Sequence, residues 1–271
     1  MSQTLPSETE ELDLLEDAAR EAGRIAMSYF GRDPEVWWKA NDSPVSEGDY
    51  AVDSYLKERL LKARADYGWV SEESVLDGTA STEHEDRFFI VDPIDGTRAY
   101  LRGDATWCVS IALVSGDRPL AGAVFAPVPG EMFTVTRSGE ARLNGEPCRA
   151  GAATEGHPMS VAMPDQFRSA LRRLDAAGQE RVSAQIGAPS LAYRLCQVAA
   201  GRLDATLVRP RAHDWDIAAG DLLLEKSDAA LVDCAGEAIR YTRSAKRHGL
   251  LVAASKASLS EARELASALS R

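Results

Sequence analysis

Two carboxylates three positions apart, Asp92 and Asp95, stand in the run Val91-Asp92-Pro93-Ile94-Asp95-Gly96-Thr97. The apolar residues before them, Phe88 to Val91, read as a buried strand, and Arg98-Ala99-Tyr100-Leu101-Arg102 after them can open a helix. A carboxylate at a strand end can hold a hard cation through oxygen. Backbone N–H groups at the start of a helix can hold a phosphate. Metal and phosphate in one turn would be metal-assisted phosphoryl chemistry. Asp, Pro and Gly are also ordinary turn residues, so this run alone is equally well a turn. Three further acidic groups at element boundaries weigh against that. Glu72-Glu73 follows the short apolar run from Tyr67 to Ser71, and Ser46-Glu47-Gly48-Asp49 precedes the helical pattern Val52, Tyr55, Leu56, Leu60. Trp215-Asp216-Ile217-Ala218-Ala219-Gly220 puts a carboxylate in front of a helix rich in Ala and Leu.

The elements that must position these groups follow from periodicity. Leu12, Leu15, Ala19, Ala22, Ile25, Ala26, Tyr29 and Phe30 fall at helical spacing over residues 10–30, and a second helix fits 50–65. Strand-like runs occur at 88–91, 108–114, 121–126 and 132–136, the last three parted by turn signals, so the middle of the chain reads as an antiparallel meander. Asn144-Gly145 signals a hairpin. Beyond residue 150 the pattern predicts strands at 159–162, near 182–187 and at 205–208, with helices over 165–177, 190–200 and 216–225. No internal repeat, low-complexity block or linker interrupts it.

Composition narrows the class. The chain has 271 residues, enough for one large domain or two packed halves, and is 45% hydrophobic and 27% charged. Its net charge of −11 argues against a nucleic-acid polymer as partner. It does not argue against a small phosphorylated substrate, because bound cations reverse the local sign of a site. Cys108, Cys148, Cys196 and Cys234 are widely spaced, which suits buried free thiols in a reducing compartment. No apolar run approaches the ~20 residues of a membrane span. The N-terminal residues lack the basic and apolar regions of a signal peptide, so a cytoplasmic location is expected.

Taken in order, Asp49, Glu72-Glu73, Asp92-Pro93-Ile94-Asp95-Gly96-Thr97 and Trp215-Asp216-Ile217-Ala218-Ala219-Gly220 resemble the signature of the inositol monophosphatase superfamily. The likeness runs from the first amphipathic helix to His248-Gly249-Leu250-Leu251-Val252-Ala253. It implies a magnesium-dependent, lithium-sensitive phosphomonoesterase, expected as a homodimer, with the fold of a layered α+β and α/β sandwich. An N-terminal, mostly antiparallel half (1–148) would carry most metal ligands. A C-terminal α/β half (149–271) would carry Asp216 and the specificity residues, the two forming one compact unit.

The resemblance also assigns roles. Glu72, Asp92 and the Ile94 carbonyl would hold one magnesium, and Asp92, Asp95 and Asp216 a second, with a third ion near Glu72. Gly96 and Thr97 N–H groups would bind phosphate, and the Thr97 hydroxyl would orient the attacking water. Asp49 would accept from that hydroxyl and help receive the proton, although a helix cap is its simplest reading. Glu73 is placed behind Glu72. Lys39 would lie on the phosphate side, unless Trp37-Trp38-Lys39 is only an exposed strand. Trp215 reads as packing support, and His213 and Asp214 as structural or rim residues.

Substrate choice falls in the C-terminal half, where this chain departs from the commonest pattern. Glu225-Lys226-Ser227-Asp228 replaces Glu-Ala-Gly-Gly, and Pro189-Ser190 replaces Gly-Ser or Gly-Thr. Arg209 stands where a carboxylate would meet sugar hydroxyls, and an arginine favours an anionic group instead. Arg194 and Arg98 resemble basic residues of bacterial 3′(2′),5′-bisphosphate nucleotidases. Ser190, Arg194 and Arg209 are therefore the expected substrate contacts, with adenosine 3′,5′-bisphosphate ahead of an inositol, sugar or histidinol monophosphate. The Glu225–Asp228 departure is the one motive for a non-catalytic metal-binding scaffold. A dehydrogenase is set aside for want of a Gly-x-Gly-x-x-Gly turn after an early strand.

Overall fold

A computed structural model describes residues 5–38, 43–76, 86–151 and 156–270. Helix α1 (Glu8–Tyr29) is followed by strands β1 (Val36–Trp38) and β2 (Pro44–Ser46), α2 (Glu47–Ala63), β3 (Gly68–Ser71) and the short α3 (Glu72–Leu76). Strand β4 (Arg87–Asp95) leads through α4 (Thr97–Leu101) to β5 (Cys108–Ser115), β6 (Arg118–Ala126), β7 (Glu131–Thr136), β8 (Arg142–Leu143) and β9 (Glu146–Pro147). Then come β10 (Met159–Ala162), α5 (Asp165–Leu171), α6 (Ala176–Glu180), β11 (Val182–Gln185), α7 (Leu191–Ala199) and β12 (Ala205–Val208). The chain closes with α8 (Asp214–Glu225), β13 (Ala229–Asp233), β14 (Leu251–Ser255) and α9 (Leu259–Leu269).

A seven-stranded sheet runs β3-β4-β5-β6-β7-β8-β9 and a five-stranded sheet runs β11-β10-β12-β14-β13. The first is antiparallel except for β3 beside β4. Both of its faces are covered, which is why its strands read as unbroken apolar runs rather than alternating ones. In β4, Phe89 and Val91 enter the core with Leu15, Ala19, Val52 and Leu56 of α1 and α2. Phe88 and Ile90 enter the core with Leu195, Ile217 and Leu222 of α7 and α8. The opposite face of those two helices meets Val208, Leu231 and Leu251 of the five-stranded sheet, whose outer face takes Phe167 of α5 and Leu265 of α9. The result is an α-β-α-β-α sandwich, as the resemblance implied.

The meander over β5, β6 and β7 and the Asn144-Gly145 hairpin form as the turn chemistry predicts, with both hairpin residues at positive φ. Three expectations differ. The single helix over 165–177 is two, because α5 ends at Leu171 and the Asp175 side chain accepts from Gly178 N at 2.8 Å to start α6. The segments 229–233 and 251–255 are paired strands, and 259–269 is a helix, none of which periodicity had marked. Cys234 is exposed, because it lies just beyond β13, whereas Cys108 and Cys196 are buried. No helix among the described residues is long and apolar enough to cross a membrane.

Candidate active site

The site gathers at the carboxyl ends of β3 and β4. Because β3 runs parallel to β4 with Ser71 opposite Val91, the next residues, Glu72 and Asp92, emerge at the same sheet edge. On β4 the side chains alternate, so Asp92 follows Phe88 and Ile90 onto the α7/α8 face. Between Asp92 and Asp95 the register with β5 slips: Asp92 faces Ser110 and Asp95 faces Cys108, three steps against two. That extra residue turns Asp95 onto the same face as Asp92, while Ile94 drops into the core under α1 and α2. The Asp-Pro-Ile-Asp spacing is thus a bulge that aims two carboxylates one way.

Asp216 completes the cluster from the first turn of α8. Oxygen atoms of Asp92, Asp95 and Asp216 all lie within 4.8 Å of one another. Asp92 and Asp95 are buried, and the Asp216 side chain is 20% exposed. Burial pushes the Asp92 carboxyl well above the usual carboxylate range, and the charges of Glu72, Asp95, Asp216 and Asp49 push it further. Asp216 is raised well above it too, by burial and then Asp95, although it accepts from His213 N at 2.6 Å. Asp95 is pushed up to about 6 by burial, against the pull of donors at the start of α7. Its Oδ2 accepts from Ser190 Oγ at 2.7 Å and from Ala192 N at 2.6 Å.

This donor set fits a hard divalent cation. Asp92 Oδ1 is buried with no hydrogen-bond partner, a costly state for a carboxylate oxygen that a cation would relieve. All the converging atoms are oxygens, the chemistry magnesium prefers.

Gly96 ends the bulge at φ +93°, and a Cβ there would come within 3.1 Å of Ser190 Cβ and 3.3 Å of Ser190 N, so glycine lets the turn close against α7. Thr97 Oγ1 lies 3.1 Å from the Ile94 carbonyl and 3.3 Å from Asp49 Oδ1. Asp49 combines both readings of its position. Its Oδ2 accepts from Ser46 N at 2.8 Å and Ser46 Oγ at 2.6 Å in a capping box, while Oδ1 faces Thr97. Glu73 is buried and Glu72 is half-buried.

The expected substrate residues fall into three situations. Ser190 is fully buried, with its hydroxyl committed to Asp95 and accepting from Tyr193 N at 3.1 Å as the cap of α7. Its buried hydroxyl donates to Asp95, so it supports that carboxylate directly. Arg194 is part-buried, and its Nη1 donates to the Ala188 carbonyl at 3.0 Å while its Nε has no partner. Burial pushes its guanidinium down; Asp95 and Asp216 pull it up and Arg209 opposes them, so all four lie in one electrostatic neighbourhood. Arg209 is exposed, and Arg98 is exposed over the Trp38 ring. Lys39 and His84 lie outside the described residues.

Several supports were not evident from spacing. Asp214 is fully buried and joins His248 Nε2 at 2.6 Å and Lys246 N at 2.9 Å, pinning the start of α8 to the segment before β14. Trp215 is buried and stacks on His213 at 4.3 Å. Burial, then the Arg247 charge, pushes His213 down to about 4, so it is neutral near neutral pH. Gly220 lets Leu195 of α7 approach, since a Cβ there would sit 2.6 Å from Leu195 Cδ1. The Glu225–Asp228 segment is a helix end, with Glu225 accepting from Arg118 Nη2 at 2.8 Å and Asp228 at φ +63°. At 1.5 Å per residue it begins roughly 14 Å from Asp216 along α8, so this departure leaves the acidic cluster untouched.

The chain is similar to known proteins in both sequence and fold. The sequence model of the inositol monophosphatase family matches residues 8–270. The chain is 33% identical over 233 residues to the Nus factor SuhB of Pasteurella multocida, covering 81% of this chain and 83% of that protein. It is 30% identical over 262 residues to inositol monophosphatase 2 of Solanum lycopersicum, covering 93% and 95%. The extragenic suppressor protein suhB of Bartonella henselae superposes with a TM-score of 0.79 at 26% identity, covering 97% of this chain and 99% of that one.

Proposed function

The chain belongs to the inositol monophosphatase family, and from that premise we propose that it is a magnesium-dependent phosphomonoesterase acting on a small phosphorylated metabolite. The observation that carries this reading is the unpartnered, buried Oδ1 of Asp92 amid the carboxylates of Asp95 and Asp216. Asp92, Asp95 and Asp216, with Glu72 and the Ile94 carbonyl, would hold two to three magnesium ions. Bound there, magnesium supplies Lewis acidity, offsetting phosphoryl charge and acidifying water.

The chain's own residues do the rest. The N–H groups of Gly96 and Thr97 seat the phosphoryl oxygens at the start of α4. Thr97 Oγ1 orients the attacking water, and Asp49 Oδ1, 3.3 Å from it, takes up the proton. Asp49 is held for that task by its other oxygen, which Ser46 fixes. No phosphoenzyme forms, because the reading uses no activated side-chain nucleophile. Lithium inhibition and a homodimeric assembly belong to the same proposal.

For the substrate, Arg194 and Arg209 favour a second anionic group beside the scissile phosphate, as in adenosine 3′,5′-bisphosphate. The support is an arginine whose Nε has no protein partner, close to the acidic cluster and to Arg209. An inositol monophosphate is the second reading, favoured by the name of the Solanum lycopersicum relative. A phosphate-release screen decides. Adenosine 3′,5′-bisphosphate, inositol 1-phosphate, histidinol phosphate and sugar phosphates are compared by kcat/KM, and no turnover of any of them overturns the reading.

A further inference from the structure

Strand β1 carries two large aromatic side chains to the surface beside this site. Trp38 is 62% exposed and Trp37 is 41% exposed. Adjacent strand residues point to opposite faces, and each indole has its own partner. Trp37 meets Tyr50 edge to face at 5.6 Å. Trp38 lies under the Arg98 guanidinium, whose Cζ is 5.8 Å from the ring centre. Both partners directly follow site residues, Tyr50 after Asp49 and Arg98 after Thr97. The strand is fixed there by pairing Val36 with Ser46, the residue that holds Asp49.

We infer that Trp38 and Arg98 form a stacking platform for a planar aromatic ring of the substrate, a nucleobase carried on the same ribose as the phosphate that is cleaved. This rests on the phosphomonoesterase reading and sharpens its substrate. Arg98 directly follows Thr97, so its guanidinium and the indole it covers lie next to the proposed phosphate seat on Gly96 and Thr97. An indole face offers π area that every base can use without sequence-specific hydrogen bonds, and a guanidinium adds cation–π attraction and a charge matched to an anionic ligand. A saturated polyol ring has no π face to stack. The platform therefore discriminates by ring chemistry, separately from the anion preference of Arg194 and Arg209.

The test compares Trp38→Ala and Trp38→Phe in the full chain with magnesium. KM and kcat are measured on adenosine 3′,5′-bisphosphate and on glycerol 2-phosphate, which has no ring. Trp38→Ala should raise KM for the nucleotide roughly tenfold or more, the range of one lost base stack. It should leave kcat and the glycerol 2-phosphate kinetics unchanged, and Trp38→Phe should restore most of the loss. Equal changes on both substrates, or none on the nucleotide, overturn the platform. So does a shift from dimer to monomer in sedimentation without a selective KM effect, which would assign the indole to a second copy of the chain. Calorimetric binding of adenosine 3′,5′-bisphosphate separates the two readings. Trp38-dependent binding without phosphate release supports the platform and overturns the phosphatase. Hydrolysis of both substrates unaffected by Trp38→Ala overturns the platform alone.

Discussion

Asp95→Asn should stabilise the metal-free protein near neutral pH while removing its activity. The folded chain raises the Asp95 carboxyl from 3.8 to about 6, so folding favours its protonated form. Stability linked to this group is fully present below about pH 4 and is lost as pH rises through about 6. That difference between the folded and unfolded chain is worth about 3 kcal/mol by about pH 8. For a chain of this size, that corresponds to roughly 6–12 °C in melting temperature. Asparagine keeps a carbonyl oxygen for the Ser190 and Ala192 donors, so the charge goes and the hydrogen bonds can stay. Asp92 and Asp216 gain as well, each losing a charged neighbour. Calorimetric melts in EDTA at about pH 8 and about pH 5 provide the assay, repeated with saturating magnesium. The variant should melt higher than wild type by a clearly larger margin at the upper pH than at the lower, gain little from magnesium, and lose on the order of a hundredfold or more in kcat. A variant that melts below wild type at both pH values would refute the reasoning, because it would mean that burial does not penalise the Asp95 charge.

Thr97→Ala should lower kcat more than it weakens magnesium binding, since the hydroxyl is assigned to water and not to metal; a raised magnesium requirement at unchanged kcat would reverse that. Arg209→Ala should raise KM for adenosine 3′,5′-bisphosphate about tenfold or more, and far less for inositol 1-phosphate, because a charge-assisted hydrogen bond is worth ~1.5–3 kcal/mol. Equal effects on the two would favour the monophosphate. Asp214→Ala leaves His248 and the Lys246 N–H without their buried acceptor, and should cost about 3 kcal/mol in denaturant unfolding while raising the magnesium requirement through a loosened α8. An unchanged midpoint would remove the pin from the account.

The acidic residues were legible because strand and helix ends are written locally. Apolar runs stop at Val91 and at Ser71, and Ser46-Glu47-Gly48-Asp49 has the spacing of a capping box. The fold class rested on the resemblance more than on periodicity, since a sheet buried on both faces erases the alternation that marks its strands. Strands β13 and β14 carry no alternation to mark them, since every residue of β14 is buried and β13 is buried or half-buried throughout. What spacing did not reveal depends on contacts across the chain. Ser190 meets Asp95 across 95 positions and His248 meets Asp214 across 34. The Asp92–Asp95 bulge is set by its pairing with β5, so the common aim of the two carboxylates appears only in the sheet.

The most direct test is magnesium titration of metal-stripped protein while phosphate release is followed, on whichever phosphomonoester the screen selects. The account predicts no release in EDTA, recovery as magnesium is restored, and no recovery in Asp92→Asn at any magnesium concentration. Phosphate release at an undiminished rate in EDTA, or full recovery in Asp92→Asn, would contradict it.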